Sequence, residues 1–335
     1  MKRARLLLTL ARAATGLAAM ATLAVPALTY RYVHNQELVN DQLAAARISE
    51  LPAADVANYK TFGTQGSRTF VVLGYHDVVQ PGGAPAAPGR RSVSADVFAA
   101  QMEMLELAGF QTVSATQVRD FLSGRGSLPP HAALIAFEQA RTRSWTVADP
   151  VLARHGFQAV IFVDQSIVNT QRQGSYLSWP GLQTMVASGR WSVGLALPQP
   201  TATVPADAGG TKASALLTHQ WLSGENRVET TGEFESRLRS LLSGAVTEFV
   251  SHGLPPVALL SYPFQAGYPL ERVTATFSEL VSVVDGLFPA GLLTMEPDKA
   301  VTSDWAKKRI LPRIQVYGST TERILFSRIR EAAQS

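Results

Sequence analysis

The chain of 335 residues is predicted to be an α/β protein, a mainly parallel sheet wrapped by helices and closed as a (β/α) barrel. Three observations predict it. Short apolar, β-branched runs alternate with segments whose apolar residues recur at helical spacing, the pattern of strand–helix–strand crossovers. Roughly seven or eight such strands can be counted, enough to close a barrel. Polar side chains follow directly after several of the apolar runs, which places them at the C-terminal strand ends where barrels carry their sites.

The elements follow in order. The globular part opens with the strand run "TFVVLGYHDVV" (69–79) and the Pro/Gly loop "QPGGAPAAPGR". In "SADVFAAQMEMLELAGF", Ser94 is a plausible N-cap, and Phe98, Met102 and Leu105 recur at helical spacing before Gly109. "QTVSA" reads as a short strand, "TQVRDFLSG" as a helix and "AALIAF" as a strand, with a helix expected around 147–155. Then come the strand "QAVIFV", the helix "WPGLQTMVASG" and a strand at "WSVGLAL". Residues 198–214, rich in Pro, Ala, Thr and Gly, are expected to form a long loop. The longest helical pattern is "EFESRLRSLLSGAVTEFVSHG", with Phe234, Leu238, Leu241, Leu242, Val246 and Phe249 on one stripe. "PVALLSYPF" is a further strand, and "RILPRIQVYG" and a final helix close the chain. No internal repeat is visible.

At 46% hydrophobic and 17% charged residues the chain can bury a sizeable core. It has no cysteine, so disulfides and thiolate metal sites are excluded and His, Asp and Glu remain as strong metal ligands. The formal charge of +4 owes much to the N-terminus, where Lys2, Arg3, Arg5 and Arg12 precede the uncharged run "AATGLAAMATLAVPALTY" (13–30). A basic flank before such a run is a membrane-insertion signal with the basic end cytoplasmic. The expectation is a single-pass membrane anchor over 1–33, a stalk over 34–68 and an extracytoplasmic domain over 69–335. The alternative is a signal peptide cleaved near the sequence Val25-Pro26-Ala27. The remaining charge is spread out, with no basic run interleaved with aromatics, so no nucleic-acid partner is expected.

The candidate site is the set of polar residues after the strands: His76 and Asp77, Glu138 and Gln139, Asp164, and Tyr262 with Gln265. Each has a plain alternative. His76 can be a hydrogen-bonded structural histidine, Asp77 a cap for the following turn, and Tyr262-Pro263 a rigid turn. Trp179 reads as a packing residue at a helix start. Phosphate-cradling glycine loops, a G-x-S-x-G elbow and a His-x-x-x-His pair are absent from the sequence.

The succession of "VVLGYHDVV", "SVSADVFAAQMEMLELAGFQTVSATQV", "LPPHAALIAFEQ", "PVLARHGFQAVIFV", "YLSWPGLQTMVASGRWSVG", "ALLSYPF" and "LPRIQV" resembles the polysaccharide deacetylase family (carbohydrate esterase family 4), over residues 69 to 330. It is most similar to the exported branch acting on poly-N-acetylglucosamine-like exopolysaccharides. The resemblance implies a distorted, NodB-like (β/α) barrel. It also implies a catalytic aspartate at 138, a metal-binding aspartate at 139, a glycine at 140, and metal-binding histidines at 196 and near 200. Here those positions hold Glu138, Gln139, Ala140, Ala196 and Pro200. The nearest later histidine, His219, falls beyond the loop in a helix-like stretch. Without the family's zinc there is no Lewis acid on the acetyl carbonyl and no lowered water pKa, so no metal cofactor is expected. The "Tyr-His-Asp" motif at His76 and Asp77 and the Tyr-Pro wall in "SYPF" persist, with Gln265 in place of a glycine.

Three functional expectations follow from the resemblance. The first is an inactive, membrane-anchored relative whose groove residues His76, Asp77, Glu138, Tyr262 and Phe264 hold an N-acetylglucosamine-type polysaccharide during exopolysaccharide synthesis or export. The second is an active N-deacetylase with Glu138 as base. The third is a purely structural partner of a membrane glycosyltransferase or an active deacetylase.

Overall fold

The computed structural model describes residues 51–62, 69–80, 91–168, 175–196, 203–261, 275–288, 292–294, 300–301 and 310–334. In chain order they form α1 (Ala53–Lys60), β1 (Phe70–Tyr75), β2 (Asp77–Val79), β3 (Ser92–Ser94), α2 (Ala95–Leu107), β4 (Gln111–Thr112), α3 (Ala115–Leu122) and β5 (Ala132–Phe137). There follow α4 (Thr142–Arg154), β6 (Ala159–Val163), α5 (Gln165–Val168), α6 (Trp179–Ala187) and β7 (Trp191–Ala196). Two hairpins, β8 (Thr203–Pro205) with β9 (Lys212–Ser214) and β10 (Trp221–Leu222) with β11 (Arg227–Val228), precede α7 (Thr231–Ser251). The chain ends with β12 (Leu260–Ser261), α8 (Ala275–Leu287), β13 (Leu292–Thr294), β14 (Ile310–Pro312), β15 (Ile314–Val316) and α9 (Glu322–Gln334).

The expected parallel sheet is present. Nine strands pair in the order β14-β13-β12-β7-β6-β5-β1-β15, with β4 also on β5, and every pairing is parallel. The two outer strands, β14 and β15, are consecutive in the chain and separated by Arg313 alone. One short segment therefore closes the circuit, pairing with β13 before Arg313 and with β1 after it. Arg313 marks the seam of a distorted barrel.

The strands bury both faces, as their near-continuous apolar character requires. Val72, Leu134, Val160 and Leu259 point to one cluster, joined by Val118 of α3. Their neighbours Leu73, Ile135, Ile161 and Leu260 point to the other, shared with α2, α4, α6, α7 and α9. That alternation is the two-residue period of a strand between an inner lumen and an outer helical layer.

Several expectations need correction. Ser94 does cap α2, though its side chain makes no capping bond. The helix expected around 147–155 starts earlier, at Thr142, because Asp77 holds its first turn (below). Residues 203–214 are a hairpin rather than a loop; its turn is closed by the Asp207 carboxylate, which accepts from Thr211 N–H at 3.1 Å, with Gly210 at φ +78°. His219 lies between β9 and β10 and not in a helix. On α7, Phe234, Leu238, Leu242 and Phe249 are buried, but Leu241 is 40% exposed. Within the stretch expected to be a stalk, α1 packs Tyr59 into the core. No helix among the described residues is long and apolar enough to cross a membrane; the expected anchor at 13–30 lies outside them.

Candidate functional site

The C-terminal ends of β1, β5 and β12 and the β14–β15 seam converge on one carboxylate. Strand β5 runs in register with β1, pairing Phe137 with Tyr75, and the Glu138 N–H then donates to the Tyr75 carbonyl at 2.8 Å. This last bond fixes where the Glu138 side chain leaves the sheet. Its Oε2 lies 3.3 Å from His76 Nδ1, and its Oε1 lies 3.2 Å from an Arg313 terminal nitrogen. The Arg313 side chain is 2% exposed and that of Glu138 11%. The other Arg313 terminal nitrogen donates to Ser261 Oγ at 3.3 Å, and Ser261 pairs with Ala196 at the end of β7. The guanidinium thus spans the lumen between the strand ends carrying positions 138 and 196.

The sheet makes room for this arginine at a glycine. A Cβ on Gly74 would stand 3.1 Å from Arg313 Cδ and 3.3 Å from Gln315 Oε1. Burial alone would raise the Glu138 pKa, but the Arg313 charge and the His76 contact outweigh it and hold it at about 2. Burial pulls the Arg313 pKa down, with the Glu138 charge opposing.

Asp77 is placed beside this centre but turned away from solvent. It is 1% exposed; its carboxylate accepts from Arg143 Nε at 2.7 Å and Ser144 Oγ at 2.8 Å. It therefore ties β2 to the first turn of α4 through the side chains of Arg143 and Ser144. Gln139 Oε1 accepts from Arg141 Nε at 3.0 Å. Ala140 is 4% exposed and has no positive φ, so this turn does not need the glycine that the family resemblance implied. Asp164 caps α5, accepting from Ser166 N–H at 3.0 Å. Trp179 is a packing residue, edge-on to Phe249 and stacked on His252 at 4.2 Å. Pro200, Tyr262, Phe264 and Gln265 lie outside the described residues.

Among the described residues no group of three or more His, Asp or Glu is placed to hold a metal ion. The donors present do not fit one. Glu138 is committed to Arg313 and His76, the Gln139 amide oxygen accepts from Arg141, and Ala196 offers a methyl group.

Arg313 was missed in the sequence, although "LPRIQV" contains its signal. A lone charge between apolar β-branched residues in a strand pattern demands a buried partner. Which partner it meets depends on the closure of the sheet.

No protein-family model matches the sequence, and comparison with curated proteins finds no match. Solved structures do match. A de-N-acetylase from Aggregatibacter actinomycetemcomitans superposes with a TM-score of 0.61 at 17% identity, covering 78% of this chain and 99% of its own. The BpsB deacetylase domain from Bordetella bronchiseptica gives 0.57 at 22% identity, covering 75% and 97%. IcaB from Ammonifex degensii gives 0.54 at 22%, covering 81% and 99%. With a parallel barrel closed at one seam and its polar residues gathered at the C-terminal strand ends, this chain has the fold of the polysaccharide deacetylases.

Proposed function

We propose that this protein is a glycan-binding member of the polysaccharide deacetylase fold in which an ion pair has replaced the hydrolytic centre. The observation that carries this reading is Glu138 locked between Arg313 and His76 with its pKa held at about 2. A general base works best with a pKa near the working pH; a carboxylate this acidic draws a proton from water poorly at neutral pH. Both of its oxygens also stand against basic groups, Oε2 at 3.3 Å from His76 and Oε1 in an ion pair at 3.2 Å from Arg313. The neighbouring amide of Gln139 cannot supply the negative ligand that a divalent ion wants.

The structures it resembles include ones described as a de-N-acetylase and a deacetylase domain. A polysaccharide is the ligand class that this likeness supports. The N-terminal basic and apolar run supports tethering at a membrane, with the barrel outside the cytoplasm, where exopolysaccharide is made or exported.

Two measurements on the purified domain test the reading. Calorimetric titration with glucosamine-containing and other oligosaccharides is expected to show binding, while acetylated oligomers release no acetate above the uncatalysed rate. Stoichiometric bound zinc together with acetate release that Glu138→Gln abolishes would establish the active-deacetylase alternative instead. Absence of any saccharide binding, with retention of a membrane glycosyltransferase in pull-down, would favour the structural-partner alternative.

A further inference from the structure

We infer that the rim beside Glu138 recognises an acidic saccharide through a carboxylate, as on a uronic acid unit, and not a neutral N-acetylated sugar. This rests on the glycan-binding reading and adds the chemical class of the sugar. The inference comes from how the charges at this rim are paired.

Among the described residues, the strand-end acids Glu138, Asp77 and Asp164 are all spent. Glu138 is held by Arg313 and His76, Asp77 by Arg143 and Ser144, and Asp164 by the start of its own helix, where Ser166 Oγ donates to it at 2.6 Å. The cations are not. Arg141 uses Nε on the neutral Gln139, and its nearest acid oxygen, Asp77 Oδ2, is 3.9 Å away and already taken by Arg143, while Oδ1 accepts from Ser144. Among the described residues its terminal nitrogens make no hydrogen bond, and its side chain is 24% exposed. Arg91 is exposed and, among the described residues, in no ion pair. It directly precedes Ser92, whose strand register pairs it with Asp77, and its charge is felt at both Glu138 and Arg313.

Arg141 is also held ready. An antiparallel bridge fixes its backbone against Tyr176, and the guanidinium lies 5.1 Å from the Tyr176 ring centroid. A guanidinium stacked on an aromatic face loses little freedom when it accepts a ligand, and its remaining N–H groups match the two oxygens of a carboxylate. A neutral acetamide would cover these cations without compensating them, and that desolvation weakens binding.

The test is a titration of the wild-type domain with a tetramer of galacturonate, an N-acetylglucosamine tetramer, a sulfated neutral oligomer and polyglutamate. The galacturonate oligomer is expected to bind at least 10-fold tighter than the other three and to weaken as salt is raised. Arg141→Gln is expected to lower that affinity about 10- to 100-fold, the range for a charge-assisted hydrogen bond, and Arg141→Lys to restore only part of it. Replacing the exposed Arg91, as Arg91→Gln, should reduce it with no effect on the melting temperature. Preference for the neutral tetramer overturns the inference and leaves the glycan-binding reading standing. Equal binding of polyglutamate or of the sulfated oligomer overturns it as mere charge attraction, and unchanged affinity in Arg141→Gln overturns it too. If no saccharide binds, the glycan-binding reading falls and takes the inference with it.

Discussion

At the scale of single residues, Arg313 and Glu138 explain each other. A buried arginine is tolerated only with a paired charge, and a glutamate at 138 reaches it from the end of β5. Removing one member leaves the other charged and buried, whereas replacing both leaves an ordinary apolar and amide contact. Arg313→Met is therefore expected to lower the unfolding free energy by about 3–5 kcal/mol in urea, and adding Glu138→Gln to recover most of the loss. Additive losses would mean that the two do not act as a unit. The acid side follows by linkage. The Glu138 pKa is lower folded, at about 2, than its ordinary value of 4.5, so its contribution is complete above the unfolded value and disappears as pH falls through the folded one. The stability gap between wild type and Glu138→Gln should shrink steadily over that interval. A gap independent of pH would exclude the ion pair as its source.

At the scale of elements, the two hairpins inserted before α7 are held by a second titrating group. His219 Nδ1 faces the Glu229 carbonyl at 2.7 Å and Nε2 faces Glu279 Oε2 at 2.8 Å. Both partners are acceptors, so both ring nitrogens must carry protons. The ring stacks on Phe234 of α7 at 4.6 Å, and the remaining charged neighbour, Arg237, is itself bound to Glu229 at 2.7 Å. Burial opposes the charge on His219, but the bonds to Glu279 and to the Glu229 carbonyl outweigh it and raise the pKa. A raised pKa stabilises below the unfolded value and is lost as pH climbs through the folded one. Amide hydrogen exchange across β9 to β11, corrected for intrinsic rates, is expected to accelerate in wild type as pH rises through this window. In His219→Gln it should be fast throughout. Protection that is the same in both proteins would remove the latch.

At the scale of the whole molecule, the barrel extends to a helix that precedes its first strand. Tyr59 of α1 is 1% exposed and packs edge-on to Phe326 of α9 at 4.8 Å. Asp55 of the same helix accepts from Arg323 Nε at 2.7 Å. The helix packs on α2 and, through Tyr59, on Phe326 of α9 in the outer layer, so it is part of the cooperative unit. Tyr59→Ala is expected to cost about 3–5 kcal/mol in one unfolding transition. An unchanged denaturation midpoint would instead return 53–60 to the stalk.

Much of the architecture was legible because its cues are local. The apolar runs at 70–75, 132–137 and 159–163 and the helical stripe of Phe98, Met102 and Leu105 needed no partner to be read. Gln139 and Ala196, which stand where the family resemblance implies metal ligands, were equally legible in the chain itself. What stayed hidden depends on contacts between distant residues. Leu241 carries the helical period of its buried neighbours but stands at the edge of their stripe, where the described fold lays nothing over it. Asp77 reads as a site residue until Arg143 and Ser144 arrive from another element to bury it. The sequence by itself thus determined the α/β alternation and which chemical groups the strand ends could offer, since both follow from residue identity and short-range period. Only the tertiary structure decided that a single segment closes the barrel on both sides of Arg313, and that this arginine, arriving from the far end of the chain, takes the carboxylate of Glu138. Long-range closure sets such pairings, and no local pattern encodes them.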